Sequence, residues 1–419
     1  MRARQLVVIL AVVALGTGLF FAGRASVSTT SNSSLNRSKY IAVTFSPISV
    51  DFTSVLRGWA LGIVPCHHKS HCLSLRMTTD AGGSWLVVPL PSALLQLADR
   101  KVDGIPAVMG GSLDDDNPAY LSVRFANARD GWIYGSLETA SGPGDAGSVS
   151  FLTVIWTTHD GGLVWHSLSR SSMHDQDGVL DLEATSNTVY ALALSKSFRV
   201  ALESSPVHRN QWRVVHTTGL GTPAGGGPLS GAIVFSGPRG WLVEGNDRGT
   251  SGSARLTYKG IWVPWRPPCE SVGNSLAVPA ASTQDHLIAE CQMGGFASPL
   301  SRAAPRGAKL GSTWLYVSNN SGRTFAPVRE LGPSSEYFGP TLAVPRPETF
   351  VITGRNVRRQ DLLASFDNGR EWNIVYIGNV MFMRFVSPNE GAALVQSPNG
   401  PNQLIMTFDG GYDWLPVAF

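Results

Sequence analysis

One pattern recurs five times along this chain with unvarying spacing: a Ser or Thr, an Asp or Asn two residues on, a Gly two further, and an aromatic three after that. The copies are Thr78, Asp80, Gly82 and Trp85; Thr158, Asp160, Gly162 and Trp165; Ser318, Asn320, Gly322 and Phe325; Ser365, Asp367, Gly369 and Trp372; and Thr407, Asp409, Gly411 and Trp414. The spacing describes a chain reversal. A carboxylate or amide at the third position accepts hydrogen bonds from main-chain N–H groups ahead of it, and Gly supplies positive φ where the chain turns back. The aromatic then opens the next strand and buries a large face against the neighbouring sheet. The acidic member of each copy is read as a turn builder, not as a catalytic acid or metal ligand, because turn carboxylates usually serve their own backbone.

Upstream of each copy lies a second recurrent element, Gly-Trp or its equivalent leading into a strand. It reads Gly58-Trp59-Ala60-Leu61-Gly62, Gly131-Trp132-Ile133-Tyr134-Gly135 and Gly240-Trp241-Leu242-Val243. Weaker versions start at Val189, His286, Phe350 and Gly391, which makes seven units. Two units lack a clean turn pattern: Ser205 to Trp212 keeps the seven-residue offset, and Thr257 to Trp262 is a shortened relic. Each unit reads as four short antiparallel strands, and such a period belongs to propeller blades and not to a sandwich. The expected fold is therefore all-β, a seven-bladed β-propeller with six or eight blades as alternatives, preceded by one N-terminal hydrophobic helix. Residues 40–46 are expected to pair with the last blade and close the ring.

These residues carry a resemblance. The turns resemble the Asp-box (BNR) repeat, and the Gly-Trp…Asp-Gly-Gly…Trp phrases resemble propellers of the photosystem II stability/assembly factor type, over about residues 48–419. The resemblance implies propeller architecture and no particular activity, because sialidases, sortilin-like receptors, xyloglucanases and non-enzymatic assembly factors share the box. That assembly-factor family's basic recognition surface does not map onto a motif in this sequence.

Composition agrees with many short strands: Gly 45 and Pro 26 exceed what long helices tolerate. The net charge of +3 comes from Arg2, Arg4 and Arg24, which flank an apolar stretch at residues 6–23. The remaining charge is balanced, which gives no electrostatic reason to bind nucleic acid or an anionic membrane surface. The apolar stretch has the charge and length of an export segment, either an uncleaved anchor or a cleaved signal peptide, and both put the rest outside the cytoplasm. The expected division is residues 1–25 as anchor or signal, 26–38 as a Ser/Thr/Asn-rich tether, and 39–419 as the propeller. Membrane contact is expected through the N-terminal segment only, and the propeller is expected to be a monomer.

In four-stranded blades the turns joining strands 1 to 2 and 3 to 4 share one face, and all other connections share the opposite face. The long connections, at 90–118, 136–150, 219–231, 267–276, 291–312 and 355–361, all fall on the second face, where binding is expected. Arg302, Arg306 and Lys309 on the fifth blade adjoin Arg355, Arg358 and Arg359 on the sixth. They read either as solvated loop charge or as a basic patch for an acidic partner surface. Asp114, Asp115, Asp116 and Asp145 lie opposite; calcium is a further reading, but alternating ligands with glycines are missing. Cys66, His67, His68, His71 and Cys72 crowd one stretch, read as a disulfide in an exported domain, with a zinc or copper site as the alternative. With Cys269 and Cys291 in loops on one face of adjacent blades, the favoured pairing is Cys66 to Cys72 and Cys269 to Cys291.

The function expected is a non-enzymatic scaffold that binds a protein or polysaccharide partner through its long-loop face, without a cofactor. A glycoside hydrolase is the alternative. It needs two positioned carboxyls, and Glu138, Glu244 and Glu290 at strand ends are candidates. The Arg-Ile-Pro signature of sialidases is missing; Gly104-Ile105-Pro106 is the nearest phrase. No phosphate-cradling glycine loop, serine elbow or zincin helix is present.

Overall fold

A computed structural model describes residues 45–65, 72–98, 101–102, 105–106, 121–139, 150–168, 176–195, 199–217, 230–246, 249–269, 277–292, 312–333, 342–356, 359–397 and 400–419. Seven four-stranded antiparallel sheets follow one another along the chain, each built from consecutive strands. Blade 1 is β1 (Ser46–Phe52), β2 (Gly58–Val64), β3 (Cys72–Thr78) and β4 (Leu86–Val88). A helix, α1 (Ser92–Ala98), and a small pair, β5 (Lys101–Val102) and β6 (Ile105–Pro106), follow it. Blade 2 is β7 (Leu121–Phe125), β8 (Gly131–Thr139), β9 (Ser150–Thr158) and β10 (His166–Ser167); blade 3 is β11 (Gln176–Ala184), β12 (Thr188–Ser195), β13 (Val200–Pro206) and β14 (Arg213–Thr217). Blade 4 is β15 (Ser230–Ser236), β16 (Arg239–Asn246), β17 (Gly249–Leu256) and β18 (Trp262–Pro264); blade 5 is β19 (Ala277–Ala281), β20 (Leu287–Gln292), β21 (Ser312–Ser318) and β22 (Ala326–Pro333). Blade 6 is β23 (Leu342–Arg346), β24 (Thr349–Asn356), β25 (Arg359–Ser365) and β26 (Asn373–Tyr376); blade 7 is β27 (Asn379–Phe385), β28 (Gly391–Gln396), β29 (Gln403–Thr407) and β30 (Leu415–Val417).

The first strands meet their successors around the ring, from β1 against β7 through β23 against β27, and so form the inner wall. Second strands are the most buried. In β2 the run Gly58 to Leu61 has no exposed residue, whereas the outermost strands β4, β10 and β26 expose most of their side chains. The Gly of each Gly-Trp phrase makes room for a phenyl ring that ends the first strand: a Cβ on Gly58 would stand 2.4 Å from Phe52, and one on Gly131 2.4 Å from Phe125. The neighbouring Trp59 is then buried completely and stacks on Phe125 of the next blade with ring centroids 3.7 Å apart.

Apolar burial is divided into seven clusters, one for each contact between consecutive blades, the last joining blade 7 to blade 1. Of the stretch expected to pair with the last blade, Ser46 pairs instead with Ile63 inside blade 1, and the four described strands of blade 7 all come from residues 379–417. Residues 40–44 lie outside the described residues. The ring is closed by side chains: Phe45 sits 4.5 Å from Phe419 and Trp85 4.6 Å from Phe419. Asn402 adds two hydrogen bonds, its N–H to Ser46 Oγ at 2.9 Å and its Nδ2 to the Pro47 carbonyl at 3.1 Å.

Strand limits also correct several loop boundaries. Ser136 to Thr139 continue β8, Cys291 lies in β20, and Arg355 and Arg359 belong to a tight β24–β25 hairpin in place of a long loop. The connection after blade 1 carries α1, whose Leu94 is wholly buried against the core of blades 1 and 2. Among the described residues no helix is long and apolar enough to cross a membrane; residues 6–23 lie outside them.

The glycine of each box turn touches the blade before it. A Cβ on Gly162 would stand 2.8 Å from Val88 Cγ1 in β4, and Gly162 has φ +100. Gly260, in the shortened turn of blade 4, has φ +73 but open space around it. Gly162→Ala is therefore expected to cost about 2–3 kcal/mol and Gly260→Ala only about 1 kcal/mol, read from urea unfolding of the two variants.

Candidate functional site

Each box turn is held by the same set of bonds. In blade 2 the Thr158 hydroxyl donates to Asp160 Oδ1 at 2.8 Å and accepts the Gly162 N–H at 2.9 Å, while Asp160 Oδ1 also accepts the Val164 N–H at 2.9 Å. The pattern repeats with Asp80 on Ser84, Asp367 on Glu371 and Asp409 on Asp413. Asn320 reproduces it with an amide oxygen on Thr324. A further N–H in every box reaches the turn between the first two strands of its own blade, as in Gly161 N–H to the Arg129 carbonyl at 2.8 Å and Asn368 N–H to the Glu348 carbonyl at 3.0 Å. The box aromatics stand one residue ahead of the fourth strand. Trp165, Trp372 and Trp414 each donate from Nε1 to the carbonyl of their own box glycine, Trp85 packs at the seam, and Phe325 lies on Trp265 of blade 4.

These donors make the box carboxyls strong acids. Hydroxyls of Ser84 and Thr78 and the Ser84 N–H hold Asp80 at about 2. Burial pushes Asp160 up, but the Val164 N–H and the Thr158 hydroxyl outweigh it and leave the carboxyl below its ordinary range. A carboxyl lowered in the folded state stabilises the fold above its unfolded value and loses that contribution as pH falls. Asp160→Asn, which keeps the acceptor that Asn320 uses, is expected to remove its share of the acid sensitivity as pH falls below about 4. Asp160→Ala is expected to cost about 1–2 kcal/mol at neutral pH. Thermal unfolding across that range checks both.

Blades 3 and 4 depart from this pattern. Ser205 accepts the Gln211 N–H, and Thr257 closes its turn with three bonds to Ile261 and one from the Gly260 N–H, which needs no acidic residue. The indole of Trp59 donates to the Gly161 carbonyl and that of Trp241 to the Ser321 carbonyl, each in the box of the next blade. Trp132 faces blade 3, whose box is gone, and its Nε1 has no hydrogen-bond partner among the described residues.

Inside the ring, at one level of the inner wall, sits a charge cluster that the motif search missed. Asp51, Arg124, Glu183 and Arg384 occupy the residue before the end of the first strand in blades 1, 2, 3 and 7, so the charge alternates around four adjacent blades. Arg124 bonds Asp51 at 3.1 Å and Glu183 at 3.2 Å. Arg384 grips Glu183 with two bonds, of 2.7 and 3.0 Å, and lies 3.8 Å from Asp51. Asp51 also accepts the Phe125 N–H at 2.6 Å. Burial works against the charged Arg124, but Glu183 and Asp51 raise its proton affinity above the ordinary value. Burial likewise opposes the Glu183 carboxylate, and Arg124 and Arg384 pull it below the usual range. The equivalent places in blades 4 and 5 hold Val234 and Ala281. The sequence signal was available: Val-Asp-Phe, Val-Arg-Phe, Leu-Glu-Ala and Met-Arg-Phe, each shortly before the second strand.

Asp181, beside this cluster, is pushed up to about 6, first by burial and then by the Glu183 charge. It accepts the Ile233 N–H at 2.7 Å and its neighbour Leu182 N–H at 2.9 Å. A raised carboxyl binds a proton in the folded state that the unfolded chain has released, so this contribution is present below about pH 4 and lost as pH rises through about 6. The melting temperature of Asp181→Asn relative to the natural protein is therefore expected to climb as pH rises through that window. A difference that stays constant would remove Asp181 from this role.

The residues expected at the long-loop face are divided. Arg355 and Arg359 lie at the two sides of the β24–β25 hairpin mouth, where Arg355 pairs with Gln360 and Asn356 with Arg359. Arg302, Arg306, Lys309 and Arg358 lie outside the described residues, as do Asp114, Asp115, Asp116, Asp145 and the three histidines at 67, 68 and 71. Cys269 and Cys291 form a disulfide with Cα atoms 5.5 Å apart, inside the core shared by blades 4 and 5. Cys72, at the start of β3, is disulfide-bonded, and Cys66 lies outside the described residues. Glu138, Glu244 and Glu290 are on the second strands of blades 2, 4 and 5, and Glu244 has no exposed surface. Among the described residues no three His, Cys, Asp or Glu side chains gather to hold a metal ion.

No protein-family model matches the sequence, and no curated protein matches it. Solved structures do. YCF48 from Cyanidioschyzon merolae superposes with a TM-score of 0.51 at 13% identity, covering 88% of this chain and 97% of its own. A polysaccharide lyase of family PL25, an ulvan lyase bound to -[GlcA(1-4)Rha3S]-, gives 0.50 at 11% identity over 89% of this chain and 96% of its own. A puromycin-hydrolyzing peptidase of Mycobacterium tuberculosis gives 0.52 at 11% identity, over 90% of this chain and 53% of the peptidase. The likeness is one of fold.

Proposed function

We propose that this chain is an exported, membrane-tethered scaffold without enzymatic activity, an Asp-box propeller that binds a protein or polysaccharide partner through the face opposite its box turns. The observation that carries this reading is the unequal length of the connections. None of the turns between first and second or third and fourth strands exceeds seven residues, whereas 32 residues separate β4 from β7 and 19 separate β20 from β21 on the opposite face. Long connections on a rigid closed body are where propellers acquire partners. The apolar stretch at residues 6–23, with Arg2 and Arg4 ahead of it, supports export and tethering. The three glutamates that are candidates for a glycosidase's two carboxyls are spread over three blades, and Glu244 is fully buried, which favours the scaffold.

The test is site-specific photo-cross-linking of the full chain in its own cells, with the cross-linker at position 302 or 306. A discrete adduct is expected, reduced at least about tenfold when Arg355, Arg358 and Arg359 are all changed to Glu. Undiminished capture by that variant would overturn the basic patch. Cleavage of a sialoside or glucan panel by the purified chain would replace the scaffold with the glycosidase.

A further inference from the structure

The face formed by the short turns is electrically divided. In blades 3 and 4, where the boxes are lost, the described turns contain no Asp or Glu, and their cations are exposed: Arg209 in blade 3 and Lys259 in blade 4. Lys259 stands two residues after Thr257, the place where the five intact boxes put Asp or Asn. It shares the ring of Tyr258 with Arg239, at 5.8 and 5.9 Å. Blade 7 is the reverse. Its turns contain Glu390, Asp409 and Asp413 and no Lys or Arg, and a single cation from blade 6, Arg346, reaches them at Asn389, so the sector keeps a net negative charge. In a ring of seven, blade 7 lies half a turn from the boundary between blades 3 and 4.

The same turns expose apolar side chains, which a solvated turn has no reason to carry. On the basic side Tyr258 is 72% exposed and Ile261 57%; on the acidic side Phe408 is 45% exposed and Tyr412 52%. Tyr412 is already fixed, stacked 3.5 Å from Phe366 of the neighbouring box. Leu56, Leu163 and Val164 in the turns of blades 1 and 2 are exposed as well, but the exposed aromatic rings are Tyr258 on the basic side and Phe408 and Tyr412 on the acidic side, and solvation accounts for the charge without accounting for these rings.

We propose that this face docks on the same face of a second copy of the chain, related by a two-fold axis, with the basic sector of each copy against the acidic sector of the other. The two-fold makes each favourable contact occur twice, and the exposed Tyr and Phe rings become the buried anchors between the charged rims. The chain is then a dimer where its sequence suggested a monomer, with both long-loop faces turned outward. The inference does not depend on what the long-loop face binds.

Sedimentation velocity of the full chain in a non-ionic detergent tests it. One variant carries Arg209→Glu and Lys259→Glu, and a second carries Glu390→Lys and Asp413→Lys; none of these side chains holds a box turn. The natural chain is expected to dimerise, more weakly at high salt, and each variant alone at least about tenfold more weakly. An equimolar mixture of the two variants pairs a copy made net acidic in both sectors with one made net basic in both and is expected to restore the dimer. Tyr258→Ala, which changes no charge, is expected to weaken it as well, with unaltered melting temperatures showing that the variants are folded. A natural chain that stays monomeric, variants that associate as tightly as the natural chain, or a mixture no tighter than its components would each overturn the proposal.

Discussion

The ring depends on places where the backbone of one blade touches the blade before it so closely that only glycine fits. Gly82 meets Val417, Gly162 meets Val88, Gly322 meets the indole of Trp265 and Gly369 meets Val328, in each case with no room for a Cβ. The hydroxyl and the carboxyl or amide of the box exist to hold that glycine at positive φ, with its N–H satisfied, at the spot where two sheets converge. One local turn therefore performs two tasks, reversing the chain and setting the distance between blades. This explains why the spacing is invariant while the residues between the conserved positions vary freely.

The hub solves a different problem. Seven inner strands converge there, and in four adjacent blades they bring formal charges to the same level. Paired ions withdrawn from water gain little stability over apolar packing, but removing one member leaves its partner uncompensated, so such clusters favour one arrangement over its neighbours. Alternation of sign across blades 7, 1, 2 and 3 fits strands that must meet in one order. The box turns fix spacing between neighbours, whereas the Arg384 to Glu183 bonds fix the distance across the ring.

Much of this was legible in the sequence, for a physical reason. A box turn is local: Thr158, Asp160, Gly162 and Trp165 act on one another within a few residues, so their spacing, counted together with the Gly-Trp phrases, predicts the repeated antiparallel unit and the blade count. The hub was not legible, because Asp51 and Arg124 are 73 residues apart and Glu183 and Arg384 are 201 apart. A lone charge in an apolar strand gives no indication of its partner until the ring is closed. Connection limits were misjudged where strands run on past their apolar core, as at Ser136 to Thr139 and at Arg355, since a hairpin can continue on main-chain bonds with any side chain. The orphaned Trp132 indole shows the cost of a degenerate repeat, because the carbonyl it would seek belonged to a box that blade 3 has lost.

The joint between blade 7 and blade 1 is an interface of the same kind as the other six, packed by its own apolar cluster and brought together at Phe45 and Phe419. Phe45 and Phe419 are thus neighbours, and blades 1 and 7 are separate sheets. A short peptide joining them, with the backbone opened instead inside one of the long connections, would give a permuted sequence with every blade intact. The order in which the blades are written along the gene is in this sense arbitrary, and the architecture leaves evolution free to start the circle elsewhere.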